Sequence, residues 1–376
     1  IRRMLVPIGP VAVFGSSNFP FAFSVAEGDT ASALAAGNPV VIKAHGSHPL
    51  TSRASFDVLS AAAAAQGAPE GTISIVYGTQ SGRDLVADPR IRAVGFTGSL
   101  SGAQSLLAII DERDTPIPFY GELSSLNPLV ITQAAAEERA DELAAGLFGS
   151  FTLGAGQFCT KPGIAFVPTG AAGDAVLDGL VTRSRDAQAQ VLLNNRIASS
   201  FDEIRARLVT EGRATVAVEG VAHGFTATPS VLVIDAGDLT ASATEEAFGP
   251  LVLVVRYSGL DAVYSALDCI PDSLTATILH APADDITALT RELAPRAGRL
   301  VFNGYPTGVR VSWGQQHGGP WPATNSLHTS VGVTAIRRFL RPLAWQNAPE
   351  AVLPPELREG AAGIPRRVDG VLTLPA

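Results

Sequence analysis

The chain has 376 residues, 46% hydrophobic and 16% charged, with a formal net charge of -8. That length can bury a large core and suits two domains. The acidic balance, with only short basic stretches at Arg337-Arg338 and Arg366-Arg367, excludes nucleic acid as the main partner, because phosphate binding needs a clustered basic face. No apolar run reaches the ~18 residues of a membrane span. Two cysteines make no disulfide framework, so the expectation is a reducing, cytoplasmic setting and no membrane partner. Neither Cys-x-x-Cys nor His-Glu-x-x-His occurs, so no metal is expected.

In chain order, residues 2–7 enter directly as a strand. Residues 11–14 predict a buried strand, 24–36 a helix ended by Gly37, 39–43 a second strand, and 51–66 a helix stopped at Gly67. Strands over 72–76 and 92–96, a helix over 99–111 and a strand over 117–120 follow. Strands spaced by helices argue for a parallel sheet covered on both faces. Such sheets bind ligands at the carboxyl ends of their strands, where Asn18, Lys43 and Gly98 fall. The usual Gly-x-Gly-x-x-Gly turn is missing.

The alternation repeats with strands over 128–132, 164–167, 231–234, 251–256, 276–279 and 300–303, and helices over 134–147 and 172–185. The expected fold class is α/β with two parallel-sheet domains. Residues 1–122 form a nucleotide-type domain, 123–330 a second domain carrying the nucleophile. Residues 331–376 form a proline- and arginine-rich tail on the surface or on another subunit.

The chemistry centres on Cys159 in Gly-Gln-Phe-Cys-Thr and Glu122 in Gly-Glu-Leu-Ser. A thiolate is the best side-chain nucleophile near neutral pH, and a carboxylate can take a proton from a thiol or from water. The plain alternatives are a small buried hydrophobe for Cys159 and a helix-terminal carboxylate for Glu122. Gly156, Gln157, Thr160 and Gly163 suit a turn better than a core. Cys269, in Leu-Asp-Cys-Ile-Pro, has no such setting and is expected in the core.

Asn18 in Ser-Asn-Phe-Pro, Lys43 in Val-Ile-Lys, Gly95-Phe-Thr-Gly-Ser99, Glu122, Cys159 and Glu246-Ala-Phe-Gly-Pro250 appear in that order. On these motifs the chain resembles the aldehyde dehydrogenase superfamily. The closer resemblance is to its branch of 2-oxoglutarate semialdehyde (2,5-dioxopentanoate) and NADP-linked fatty aldehyde dehydrogenases. It rests on Lys43-Ala-His, Gln157-Phe-Cys-Thr-Lys-Pro-Gly163, Phe302-Asn-Gly-Tyr-Pro-Thr-Gly308 and His317-Gly-Gly-Pro-Trp-Pro-Ala323. It also implies that about a quarter of a typical family chain lies ahead of Ile1.

The resemblance implies a cofactor domain and a catalytic domain, a thiohemiacetal and then a thioester on Cys159, and Glu122 as the base for thioester hydrolysis. Asn18 would hold the oxyanion with the Cys159 backbone N–H. Lys43 would bind the adenosine ribose, Gly98 and Ser99 the pyrophosphate at a helix N-terminus, Glu246 the nicotinamide ribose, and Phe248 would pack near the ring. Gly46 stands where many NAD-preferring relatives carry a glutamate, so NADP is expected over NAD. Each residue has a plainer reading: a turn asparagine, a solvated strand-end lysine, a strand-to-helix turn, an acidic helix end.

Phe151 and Phe158 are candidate walls of the substrate funnel, and Lys161 and Arg310 candidate cations for a dicarboxylate product. His317 is expected to be structural, positioning a loop near the substrate entrance. The expected partners are a small aldehyde and further copies of the chain as a homo-oligomer. A medium- or long-chain aliphatic aldehyde is the alternative substrate. A Cys-His acyltransferase would leave Lys43, Gly98 and Glu246 without a role. A non-catalytic fragment, poorly soluble alone, is the alternative of another class.

Overall fold

The computed structural model describes residues 1–361 and 363–375. After a short strand β1 (Arg2–Pro7), the first half builds a five-stranded sheet from β2 (Val11–Phe14), β3 (Val40–Lys43), β4 (Ile73–Val76), β5 (Ala93–Thr97) and β6 (Phe119–Glu122). Its order is β4-β3-β2-β5-β6, every pair parallel. Helices α1 (Gly28–Ala35), α2 (Pro49–Ala65), α3 (Thr79–Ala87) and α4 (Leu100–Asp111) make the crossovers.

The second half runs through β7 (Leu129–Ile131), β8 (Ile164–Pro168), β9 (Gln190–Val191), β10 (Thr215–Val218), β11 (Ala222–His223), β12 (Thr226–Ala227), β13 (Ser230–Asp235), β14 (Leu251–Tyr257), β15 (Ser273–Leu279) and β16 (Ala297–Phe302). Seven of these form a sheet of order β10-β13-β14-β8-β7-β15-β16, parallel except at β10; β11, β12 and β9 make a small sheet beside it. Its helices are α5 (Gln133–Thr152), α6 (Ala171–Arg185), α7 (Asn195–Thr210), α8 (Leu260–Leu267) and α9 (Thr287–Leu293). Strands β8, β14 and β15 are buried along their whole length, as near-continuous apolar runs covered on both faces should be. Local capping agrees with the boundaries: Ser99 Oγ accepts from Gly102 N, Thr132 Oγ1 from Ala135 N and Asn194 Oδ1 from Ile197 N.

The α/β expectation stands, with differences that have local causes. The helix expected over 24–36 begins at Gly28, because Ser16 N bonds Phe23 O and closes residues 16–23 into a turn. Helix α7 was not foreseen, although Phe201, Ile204 and Leu208 repeat at helical spacing and are buried. Residues 335–339 are no surface tail, while 340–345 lie at the surface as a strand. Arg338 and Phe339 are fully buried, and β17 (Leu340–Trp345) pairs antiparallel with β1. Pro342 is tolerated because that sheet has only edge strands. A last hairpin joins β18 (Arg366–Val368) to β19 (Val371–Thr373). Phe151 is fully buried in the core under α5, edge-on to Phe148 with ring centroids 5.9 Å apart, so it walls no substrate funnel.

A buried charge group ties α1 to residue 338. Arg338 Nη1 donates to Asp29 Oδ1 at 3.0 Å, with both side chains almost wholly buried. Glu27, which precedes α1, is buried beside them and its Oε1 has no hydrogen-bond partner among the described residues. Burial first, then the Asp29 and Glu122 charges, push the Glu27 carboxyl well above its usual range; Arg338 only partly opposes this. A carboxyl raised in the folded state contributes stability that is full below its ordinary value near 4.5 and is lost as pH climbs toward the raised one. Replacing Glu27 with Gln, which keeps the neutral shape, should therefore flatten the fall in stability from pH 5 to pH 8. Urea midpoints measured for both proteins across that range check this; parallel curves would rule out a protonated Glu27.

Candidate active site

The carboxyl ends of the five-stranded sheet set most of the site. Asn18 follows β2, Lys43 ends β3, Gly98 follows β5 and Glu122 ends β6. Cys159 arrives from the other half, on the turn between α5 and β8. The long loop after β16 then closes the site. It lies along β6, with Leu123 N donating to Ala323 O at 2.8 Å and Gly121 N to Asn325 Oδ1 at 2.8 Å. A Cβ on Gly319 would stand 2.4 Å from Ser273 O, so only glycine lets this loop pass the start of β15.

That loop delivers His317, fully buried, into the centre. Its Nε2 lies 2.8 Å from Glu122 Oε1 and 3.6 Å from Cys159 Sγ. Ser330 Oγ donates to Glu122 Oε2 at 2.6 Å. The expectation of a purely structural His317 is thereby corrected: the loop does pack structurally, but its imidazole touches both the thiol and the carboxylate. The sequence signal was His-Gly-Gly, a polar ring followed by residues that permit close backbone approach.

Burial alone would raise the Glu122 carboxyl, but His317, Ser330 and Arg338 together hold it down at about 2. Burial pushes the Cys159 thiol up, and the Glu122 and Glu246 charges push it further. The resting site therefore holds a neutral thiol beside an ionised carboxylate. An ionised carboxylate only accepts, so the proton between Glu122 and His317 sits on Nε2.

The nucleophile turn is fixed from behind. Lys161 Nζ donates to the carbonyls of Ala247, Gly249 and Leu251 at 2.7, 3.2 and 3.2 Å, and its side chain is fully buried. It is therefore no substrate cation: its donors are spent on backbone, and burial pushes its ammonium down. Gly156 has φ +67°, and a Cβ there would meet Gly249 O at 2.1 Å. Asn127 Nδ2 donates to Cys159 O and Lys161 O at 2.8 and 2.9 Å.

In front of the thiol opens a cavity of about 620 Å³, within the range of a ligand pocket. Asn18, Gly98, Ser99, Glu122, Cys159, Glu246 and Phe248 all line it. Asn18 Nδ2 donates one hydrogen to Gln157 O at 2.8 Å, which leaves its second N–H uncommitted. Glu246 Oε2 accepts from Ser125 N at 3.1 Å, and burial pushes its carboxyl up.

A dinucleotide fits these residues. The N-terminal end of α4, Gly98 to Ser101, faces the cavity, with Gly98 N bonded to Glu122 O at 3.0 Å and Leu100 N to Ser124 Oγ at 3.3 Å. Lys43 Nζ has no hydrogen-bond partner among the described residues, and the space over exposed Gly46 is empty. Of the remaining candidates, Phe158 packs edge-on against Phe19 with centroids 5.0 Å apart, and Arg310 is exposed outside the cavity lining.

The aldehyde dehydrogenase family model matches residues 2–321. The chain is 40% identical to an alpha-ketoglutaric semialdehyde dehydrogenase of Acinetobacter baylyi, covering 99% of this chain and 73% of that protein. It is 44% identical to alpha-ketoglutaric semialdehyde dehydrogenase 2 of Azospirillum brasilense, covering 98% and 72%. Among solved structures it resembles Bradyrhizobium japonicum proline utilization A (TM-score 0.79, 25% identity), covering 91% of this chain and 35% of that one. A Thermus 1-pyrroline-5-carboxylate dehydrogenase with bound NAD shares the fold (TM-score 0.76, 21% identity), covering 91% and 66%. The chain belongs to the aldehyde dehydrogenase family.

Proposed function

We propose that this chain oxidises 2-oxoglutarate semialdehyde to 2-oxoglutarate through a thiohemiacetal and a thioester on Cys159, with NADP preferred over NAD. The observation that carries the reading is the contact of thiol, imidazole and carboxylate at the floor of the cavity. Relatives named for this aldehyde, at 40% and 44% identity, support the substrate.

Glu122, the ionised neighbour, takes the thiol proton. With that proton on the carboxyl, the His317 Nε2–H turns to the sulfur and stabilises the thiolate as it attacks the carbonyl carbon. The free hydrogen of the Asn18 amide and the Cys159 backbone N–H receive the oxyanion; a donor of this kind typically contributes ~10²–10³ in rate. A nicotinamide cofactor, which Gly98, Ser99 and Glu246 would hold, would supply the hydride acceptor for oxidation of the adduct to a thioester. Glu122 releases the thiol proton to solvent and then takes a proton from water as the water attacks the thioester; the C–S bond breaks, the Cys159 thiolate takes that proton back, and the acid leaves. Glu122→Gln should stall at the thioester, giving a stopped-flow burst of reduced cofactor without steady turnover. Cys159→Ala should show neither phase yet still bind cofactor. An unchanged steady-state rate in the Gln variant removes Glu122 from the mechanism.

NADP preference is supported by the groups around His45. Its imidazole is pushed down to about 4, first by burial and then by Lys43, His48 and Arg196. A 2′-phosphate there would meet the positive charges of Lys43 and Arg196. Wild-type kcat/KM should be higher with NADP, and Gly46→Glu should move preference toward NAD; a wild-type preference for NAD defeats this.

For the substrate carboxylate we propose Arg299 on β16, which like Arg310 stands outside the cavity lining. It is half-buried, the Cys159 charge acts on it, its Nη atoms donate to Pro306 O and Gly308 O, and its Nε has no partner among the described residues. Arg299→Gln should raise KM for the semialdehyde at least about tenfold, the worth of a lost charge-assisted bond, and spare hexanal. Equal losses on both aldehydes would point to loop damage, and a wild-type preference for hexanal would favour the aliphatic reading that the Phe19, Phe23 and Phe158 cluster suits. We also assign a homo-oligomer, for which Trp313 and Leu327, 79% and 95% exposed, offer apolar surface.

A further inference from the structure

The three side chains at the cavity floor also satisfy the requirements of a metal site. Cys159 Sγ, His317 Nε2 and a Glu122 carboxylate oxygen all lie within 4.8 Å of one another. Ligands of one tetrahedral ion, with sulfur at about 2.3 Å and nitrogen at about 2.0–2.1 Å, stand roughly 3.6 Å apart. The Sγ to Nε2 separation is already 3.6 Å. The Nε2 to Oε1 separation, 2.8 Å, must open by roughly half an ångström to reach the spacing of two such N and O ligands.

The surroundings favour such a site. Ser330 Oγ holds Glu122 Oε2, which leaves Oε1 as the ligand atom and supplies the outer hydrogen bond that metal-binding carboxylates use. Thr329 Oγ1 accepts from His317 N at 2.9 Å and fixes the ring's backbone. The fourth coordination position opens to the cavity that Cys159 and Glu122 line.

We propose that the site captures one Zn²⁺ ion across Cys159, His317 and Glu122, and that the bound ion silences the thiol. One thiolate, one imidazole and one carboxylate suit a borderline-soft ion and not Mg²⁺ or Ca²⁺, which take oxygen ligands. No electrons move: the thiol proton leaves to solvent, Nε2 gives up its proton so that the ring binds as neutral imidazole with its hydrogen on Nδ1, and three bonds to the metal replace three of the ion's bonds to water. Occupied in this way, the sulfur lone pair is withdrawn from the aldehyde carbon and the carboxylate from water. The silencing rests on the dehydrogenase reading above; the binding does not.

Cobalt makes the test independent of activity. Metal-free protein titrated with Co²⁺ should take one equivalent, with a thiolate-to-metal charge-transfer band in the near ultraviolet and visible bands of tetrahedral intensity. Stoichiometric Zn²⁺ should bleach both. The band should be absent in Cys159→Ala and persist in Cys269→Ser, while His317→Gln and Glu122→Gln should each weaken binding by about tenfold or more. In the wild type, Zn²⁺ should abolish turnover and a chelator restore it, while Mg²⁺ and Ca²⁺ do nothing. A band that survives Cys159→Ala, or no cobalt binding, overturns the site. Full turnover with zinc bound overturns the silencing. Binding in a protein without aldehyde oxidation leaves the metal site standing and sinks the dehydrogenase reading instead.

Discussion

The site depends on a buried ammonium that binds backbone and nothing else. Lys161 sits two residues past the nucleophile and is bonded to three carbonyls of residues 247–251. A buried cation is costly; satisfying each of its N–H groups, with the Glu246 charge nearby, is what makes it tolerable. In return the turn carrying Cys159 is locked to the segment carrying Glu246. The thiol and the Glu246 carboxylate are thereby held at a fixed spacing. Gly156 and Asn127 complete the lock, one by allowing contact with Gly249 and the other by bonding the carbonyls of Cys159 and Lys161.

Within that frame, two ionisable groups a few ångströms apart are driven in opposite directions. Both are buried, which on its own disfavours charge in each. Glu122 has a positive and hydrogen-bonding company, His317, Ser330 and Arg338, and stays ionised. Cys159 has Glu122 and Glu246 as neighbours, so it keeps its proton. A nucleophile that is neutral until a base relieves it is protected from stray oxidation and alkylation, because the thiolate is the reactive form. The direction in which the His317 Nε2–H points, to Glu122 or to the sulfur, distinguishes the resting site from the armed one.

The parallel-sheet architecture was legible because buried strands write themselves as short apolar runs, such as Val11-Ala-Val-Phe14 and Leu251-Val-Leu-Val-Val255. The positions of Glu122 and Cys159 near one cavity followed from motif order. Other parts were not readable, for identifiable reasons. Lys161 looks like a funnel cation in sequence, because nothing local says that three carbonyls from residues 247–251 will surround it. Phe151 reads equally as a pocket wall or as core, since burial depends on α5 packing. His317 was misjudged because its partners lie on segments far away in the chain, and loop geometry has no periodicity to reveal it.

The histidine loop has a temporal consequence. His317 lies 195 residues beyond Glu122 and 158 beyond Cys159. Contacts of such separation form late, since the entropy of closing the intervening chain must be met before they return anything. On the ribosome, the thiol of Cys159 is made well before its imidazole exists. A nascent chain therefore carries an unarmed thiol until the His317 loop docks.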